Sequence, residues 1–303
     1  MIADFEDFCT WMYVMVDDAW KELAPLAKRS GPKPSTWSDS ELIAVALISA
    51  CRGWEKETRL LTEWEPYRHL FPKFPSRTRY NRRRRNLAPL INQIRISIAR
   101  QLDMAFDHQL IIDSMPVPVL GFHLAPQRGG DWDAHEASYG WCASKKLHYY
   151  GYRFHILITL GGLILDYTLT SADADERPVA EDMLPKLPNR LCLADKGYVS
   201  KPLADRLKSH ANVTLIALRR RNQHSQLPKP LKMVISRVRQ MIETVNNQLV
   251  DQFSIQDNLA HTFNGLCARL HTKLAAHTLC IALNHKLDNP NRLQIAELAF
   301  TKY

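Results

Sequence analysis

From His108 onward the sequence changes from helical to strand-like texture, and the order of the elements beyond that point is the tightest constraint on the fold. Gln109–Val119 is an apolar run interrupted by Asp113, with Pro116 and Pro118 limiting how far it can sit in a sheet centre. Tyr149–Leu160 and Leu163–Thr170 flank Gly161 and Gly162 with the spacing of a hairpin. A short helix capped at Asp175 and ending near Leu184, a strand over Arg190–Ala194, a helix over Lys201–Ser209 and a strand over Val213–Leu218 then alternate, which implies parallel pairing. Helices over Leu231–Leu249 and His261–Leu287 complete the order. The expected class is α/β, a mixed sheet flanked by helices.

The preceding hundred residues read as helical with proline-rich punctuation. Ser38 and Glu41 have capping-box spacing ahead of the apolar run Leu42–Ala50, so a buried helix is predicted to begin there. At 303 residues the chain has room for two modules. The division expected is a helical module over 1–105 and a sheet module over 106–303 that includes the late helices.

Lys and Arg total 40 against 31 acids, a formal charge of +9, which favours polyanions because bound phosphates release counterions. The densest basic stretch runs from Ser76 to Arg85, where Arg77, Arg79, Arg82, Arg83, Arg84 and Arg85 alternate with short polar side chains and Tyr80. Such a run supplies forked phosphate donors; the competing reading is a solvated helix face. The segment Gly121–His148 is long for a connection, carries Lys145 and Lys146, and is read as a DNA-facing loop in preference to a surface loop without a role. The six cysteines form no CxxC pair and read as reduced packing thiols, and the twelve histidines show no metal-binding spacing. No signal peptide or membrane-length apolar run is apparent, so a cytoplasmic protein is expected.

Three acids sit at the margins of these elements. Asp113 interrupts a strand, Asp195 directly follows one, and Glu243 lies on a late helix. If the first and fourth strands are neighbours, Asp113 and Asp195 become neighbours too. Converging carboxylates repel unless a divalent cation neutralises them, and oxygen-only ligands suit Mg2+ or Mn2+ better than zinc. Taken singly, each acid has an ordinary alternative: an arginine-paired turn acid, a helix cap, an exposed helix face. Tyr198, beside the second acid, is read either as a base-stacking ring or as a residue packed on the following helix.

Together, Ile111-Ile-Asp113-Ser-Met-Pro-Val, Ala143-Ser-Lys-Lys146 leading into Tyr150-Gly-Tyr-Arg-Phe-His155, Leu193-Ala-Asp195-Lys-Gly-Tyr198 and Ile242-Glu243-Thr-Val resemble the DDE transposases of bacterial insertion sequences. Ser38–Glu41 and Tyr80-Asn-Arg-Arg-Arg resemble that group's leading domain, so the likeness covers nearly the whole chain. The resemblance implies a ribonuclease-H-like fold in which Asp113, Asp195 and Glu243 hold two Mg2+ ions, with Mn2+ as a substitute. It also implies hydrolysis at element ends followed by attack of the 3′-hydroxyl on target DNA, with double-stranded DNA as partner and a homo-oligomer in the DNA complex. The 1–105 module would then bind DNA and the 106–303 module catalyse. By position, Lys145, Lys146, Lys196, Arg219, Arg220, Arg221 and Arg239 join the six clustered arginines as candidate DNA-backbone contacts. A related branch carries Tyr-x-x-Arg-x-x-x-Glu and a later Lys; here Arg239 and Glu243 keep the spacing, but Ser236 stands at the tyrosine position and the lysine is absent. Two other classes fit the same residues: a non-transposing nuclease or junction resolvase, and a catalytically silent DNA-binding protein.

Overall fold

The structure, a computed structural model, describes residues 2, 4–27, 37–54, 56–128, 130–143, 146–218, 228–257 and 259–298. Its helices and strands run α1 (Phe5–Leu23), α2 (Asp39–Cys51), α3 (Glu57–Glu63), α4 (Arg77–Arg100), β1 (Gln109–Leu120), α5 (Ala125–Arg128), β2 (Ser138–Cys142), β3 (Leu147–Thr159), β4 (Ile164–Ser171), α6 (Glu176–Met183), β5 (Leu191–Ala194), α7 (Lys201–Ala211), β6 (Thr214–Ala217), α8 (Lys229–Asn247) and α9 (Phe263–Lys286). They form two compact units. One comprises Met1–Leu102 with Leu249–Tyr303, the other Asp103–Gln248. The first break lies close to the boundary at 105 read from sequence. The residues from 249 on differ from that reading, because α9 packs on α4 and α2 in the helical unit.

The predicted cap of α2 is present: Ser38 Oγ accepts from the Glu41 amide at 3.1 Å, and Glu41 Oε2 accepts from the Ser38 amide at 2.8 Å. This satisfies two of the donors a helix start leaves open. Trp64 is fully buried and donates its indole N–H to Ser49 Oγ at 2.9 Å. Cys51 and Cys280, far apart in sequence, bring their sulfurs to 3.6 Å as free thiols between α2 and α9.

The arginine run begins α4, and helical periodicity divides it. Arg77, Arg79, Arg82 and Arg85 are exposed. Arg84 falls on the buried stripe with Tyr80, Leu87 and Ile91, is 6% exposed, and gives Nη2 to Glu57 Oε1 at 2.7 Å. Arg83 forks onto the buried Asp39 through contacts of 2.8 and 2.7 Å. The expectation that Arg83 and Arg84 face phosphates is therefore corrected: both neutralise acids inside the helical unit. Arg84→Ala should cost roughly 2–3 kcal/mol, because the cation left beside Glu57 is the more distant Arg269, 3.4 Å away, with the uncharged Asn81 amide on its other oxygen. Arg82→Ala should stay within about 0.5 kcal/mol; equal urea midpoints for the two variants would contradict this division.

In the sheet unit the strand order is β2-β3-β1-β5-β6, and β4 also pairs with β3. β1 is antiparallel to β3 and parallel to β5, and β5 is parallel to β6. The hairpin around Gly161 and Gly162 joins β3 to β4 as expected, with Gly162 at φ 84°. Leu110 and Ile112 of β1, and Cys192 and Ala194 of β5, join one buried cluster with Val179, Met183, Leu203 and Leu207 of α6 and α7. Alternation turns Ile111, Asp113, Leu193 and Asp195 to the opposite face, where α8 packs on β1. The segment read as a loop, Gly121–His148, contains α5, short 3-10 turns and the edge strand β2, paired antiparallel with β3. Its strand pattern is obscured because Gly140 occupies the inward position: a Cβ there would lie 2.7 Å from Ala172 Cβ and 2.8 Å from the Tyr149 ring. Lys145 and Arg219, Arg220 and Arg221 lie outside the described residues.

Candidate active site

The last β1–β5 pair is Ile112 with Ala194, so Asp113 and Asp195 are the next residues on two adjacent parallel strands. Register alone brings these acids together. Asp113 Oδ2 accepts from Asn246 Nδ2 of α8 at 3.0 Å. Burial raises the Asp113 carboxyl from its ordinary value to about 6; the neighbouring Asp195 and Glu176 carboxylates push the same way, while the Ser114 amide and Arg239 oppose them.

Asp195 directly follows β5 and caps the 3-10 turn Lys196–Tyr198. Its Oδ1 is buried without a hydrogen bond and faces the Arg239 guanidinium at 3.4 Å. Arg239 also lies 3.9 Å from Glu243, one helical turn along α8. Glu243 is 60% exposed at its side chain and meets Asp195 only through this arginine. Arg239, expected among DNA contacts, thus holds the acids in this structure. Among the described residues, no three His, Cys, Asp or Glu side chains converge closely enough to cage an ion.

The donors nevertheless fit a divalent cation of the magnesium kind. Asp113 and Asp195 offer carboxylate oxygens on one sheet face, and the buried Oδ1 atoms of Asp195 and Asn246 both lack hydrogen-bond partners. Oxygen-only ligands around an electrostatically unfavourable acid pair match hard cations.

A fourth carboxylate belongs to this neighbourhood and was not singled out from sequence. Glu176 opens α6, where Asp175 caps the helix as expected. Its Oε1 accepts from Ser114 Oγ at 2.6 Å and lies 3.4 Å from Arg153 Nη1. Its other oxygen presses on Gly197, where an added Cβ would stand 1.7 Å away. Glu176 therefore ties the residue after Asp113 to the turn after Asp195. The sequence signal available was the glycine itself, two residues beyond the acid.

His155 is fully buried, with Nε2 3.0 Å from Thr170 Oγ1. Burial, with help from Arg153, lowers its pKa to about 4, so it is neutral at pH 7. Tyr198 is also fully buried, which overturns base stacking and leaves the packing role. Lys146 and Lys196 are exposed.

A family model described as the transposase DDE domain matches residues 105–279, more than half of the chain, and this span contains all three acids. No curated protein and no solved structure matches the chain.

Proposed function

Since the chain belongs to the DDE transposase-domain family, we propose that it cuts DNA at the ends of a mobile element and joins the freed 3′-hydroxyl to target DNA. Asp113, Asp195 and Glu243 are the acids proposed to hold Mg2+, with Mn2+ as a substitute, on a ribonuclease-H-like sheet. The observation that carries this reading is the placement of Asp113, within β1, beside Asp195, which directly follows the adjacent parallel strand β5, with Asp195 Oδ1 buried and lacking a hydrogen bond. When bound, paired divalent ions supply a hydroxide-like nucleophile and steady the leaving oxygen of an in-line phosphoryl displacement.

The chain's own residues supply the positioning. Asn246 orients Asp113 by donating to its Oδ2. Glu176 and Ser114 fix the two acid-bearing segments against each other, and Arg239 balances Asp195 and Glu243. The double-stranded DNA partner is contacted through the exposed Arg77, Arg79, Arg82, Arg85, Lys146 and Lys196, with Lys145 and Arg219–Arg221 as further candidates. The active assembly on DNA is a homo-oligomer and the setting cytoplasmic; among the described residues no helix is long and apolar enough to cross a membrane.

The test incubates the purified protein, and its Asp195→Ala variant, with a labelled element end and a plasmid target in Mg2+. Joined products that disappear in the variant are expected. Nicking without joining would instead indicate a nuclease, and cleavage surviving in the variant would remove Asp195 from the site.

A further inference from the structure

The β2–β3 hairpin carries a group of exposed rings that the acid site does not use. Phe122, Tyr139 and Trp141 are 48%, 45% and 46% exposed, and His148 is exposed beside them. They form one connected surface. Trp141 meets His148 at 4.3 Å between ring centroids, Phe122 meets Tyr139 at 4.9 Å, and Phe122 meets His148 at 6.0 Å.

The backbone fixes which way this surface looks. Trp141 lies opposite His148 and Tyr139 opposite Tyr150, so their side chains share a face. The buried Gly140 between them packs the other face against Ala172 and Tyr149, leaving no room for the strand to turn over. Asp113 lies opposite Ile156, and along β3 the residues 156, 154, 152, 150 and 148 point the same way. The rings therefore stand on the same sheet face as Asp113 and Asp195. Eight residues of strand separate Ile156 from His148, roughly 25 Å at the usual rise, or about seven nucleotides of one strand at about 3.4 Å each.

Resting on the DNA reading above, we propose that Phe122, Tyr139, Trp141 and His148 form a stacking platform for unpaired DNA bases on the strand leading away from the cut. Every base presents a π-face, so aromatic platforms beside cations bind single strands without sequence preference. The cation here is the exposed Lys146 at the hairpin tip, next in sequence to Lys145. Two acids of the preceding segment are engaged within it: Asp131 lies 3.9 Å from His135, and Asp133 accepts the Tyr150 hydroxyl. A duplex keeps its bases stacked on one another and offers these rings little, so single strands are the favoured ligand.

The experiment measures binding of the full chain to a labelled oligothymidylate and to a blunt duplex of equal length, in EDTA so that no cleavage intervenes. Trp141→Ala should weaken oligothymidylate binding about 5- to 150-fold, the range of one lost base–ring stack, and change duplex binding less than about twofold. Trp141→Phe should restore most of the loss. Lys146→Ala should weaken both ligands and reduce the salt slope by about one contact. Unchanged single-strand binding in Trp141→Ala, or equal losses for both ligands, overturns the platform. A change in sedimentation with single-strand binding intact also overturns it, and makes the rings a contact between copies. Strand joining by the unaltered chain is scored separately on an element-end substrate, so failure of the platform and failure of the strand-transfer reading are separately visible.

Discussion

Asp113→Asn is expected to abolish strand cleavage while making the metal-free protein more stable at neutral pH. Activity should fall by roughly 10³-fold or more, the scale lost when a central catalytic group is removed. The stability gain stems from the raised pKa of about 6. Between about pH 4 and 6 the folded chain retains a proton that the unfolded chain has released, so stability falls as pH rises through that window. Above it the ionised carboxylate is a standing deficit of about 1–3 kcal/mol. The amide replacement is uncharged and still gives Asn246 an acceptor, so its stability should lack this pH dependence. Melting temperatures from pH 4 to 7 in EDTA test the point, and parallel profiles for the two proteins would refute it. Adding Mn2+ should then raise the melting temperature of the unaltered protein by linkage and leave the variant unmoved.

Gly197→Ala is expected to impair both the stability of the sheet unit and its cleavage chemistry. The new Cβ would overlap Glu176, and although a glutamate end can swing away, this one is held by Ser114 and Arg153. Moving it breaks the tie between the segments bearing Asp113 and Asp195. We expect a stability loss of about 1–3 kcal/mol from overpacking and a fall in cleavage of about 10²-fold, as small misplacements of reacting groups cost that much. Glu176→Ala removes the obstacle, so the double variant should be markedly less impaired than the sum of the two singles. Additive effects by urea denaturation would show that Gly197 and Glu176 do not communicate.

The acid pair was legible because it depends on periodicity and strand order alone: an acid within an apolar strand, another just after a buried strand, and an alternation that pairs the first strand with the fourth. The direction of Arg84 was equally present in the sequence, since Tyr80, Arg84, Leu87 and Ile91 keep helical spacing, but charge density drew attention away from the stripe. Glu176 itself carried no signal, and Gly197 hinted only that something approaches the turn after Asp195. The position of Glu176 at a helix start accounts for an acid through the helix dipole, and its contacts with Ser114, Arg153 and Gly197 arise only when three distant segments pack. The edge strand β2 was hidden for a related reason, because outward rings and an inward glycine invert the usual apolar alternation. Arg239 has Glu243 one turn on as a partner visible in the sequence, but its approach to Asp195 appears only when α8 packs beside the end of β5.

The helical unit draws on both ends of the sequence, whereas the sheet unit is one uninterrupted stretch. On the ribosome these two histories diverge. The sheet unit can complete as soon as Gln248 has emerged, but α4, whose stripe includes Leu87, Ile91, Ile94 and Ile98, must wait for α9. About 160 residues separate them, which at roughly 5–20 residues per second leaves the part of α4 that α9 covers open for about 10–30 s, while α1 and α2, which also pack on α4, are already made. Newly made chains thus pass through an interval in which a finished sheet unit coexists with an open helical one, the stage at which a chaperone would find something to hold.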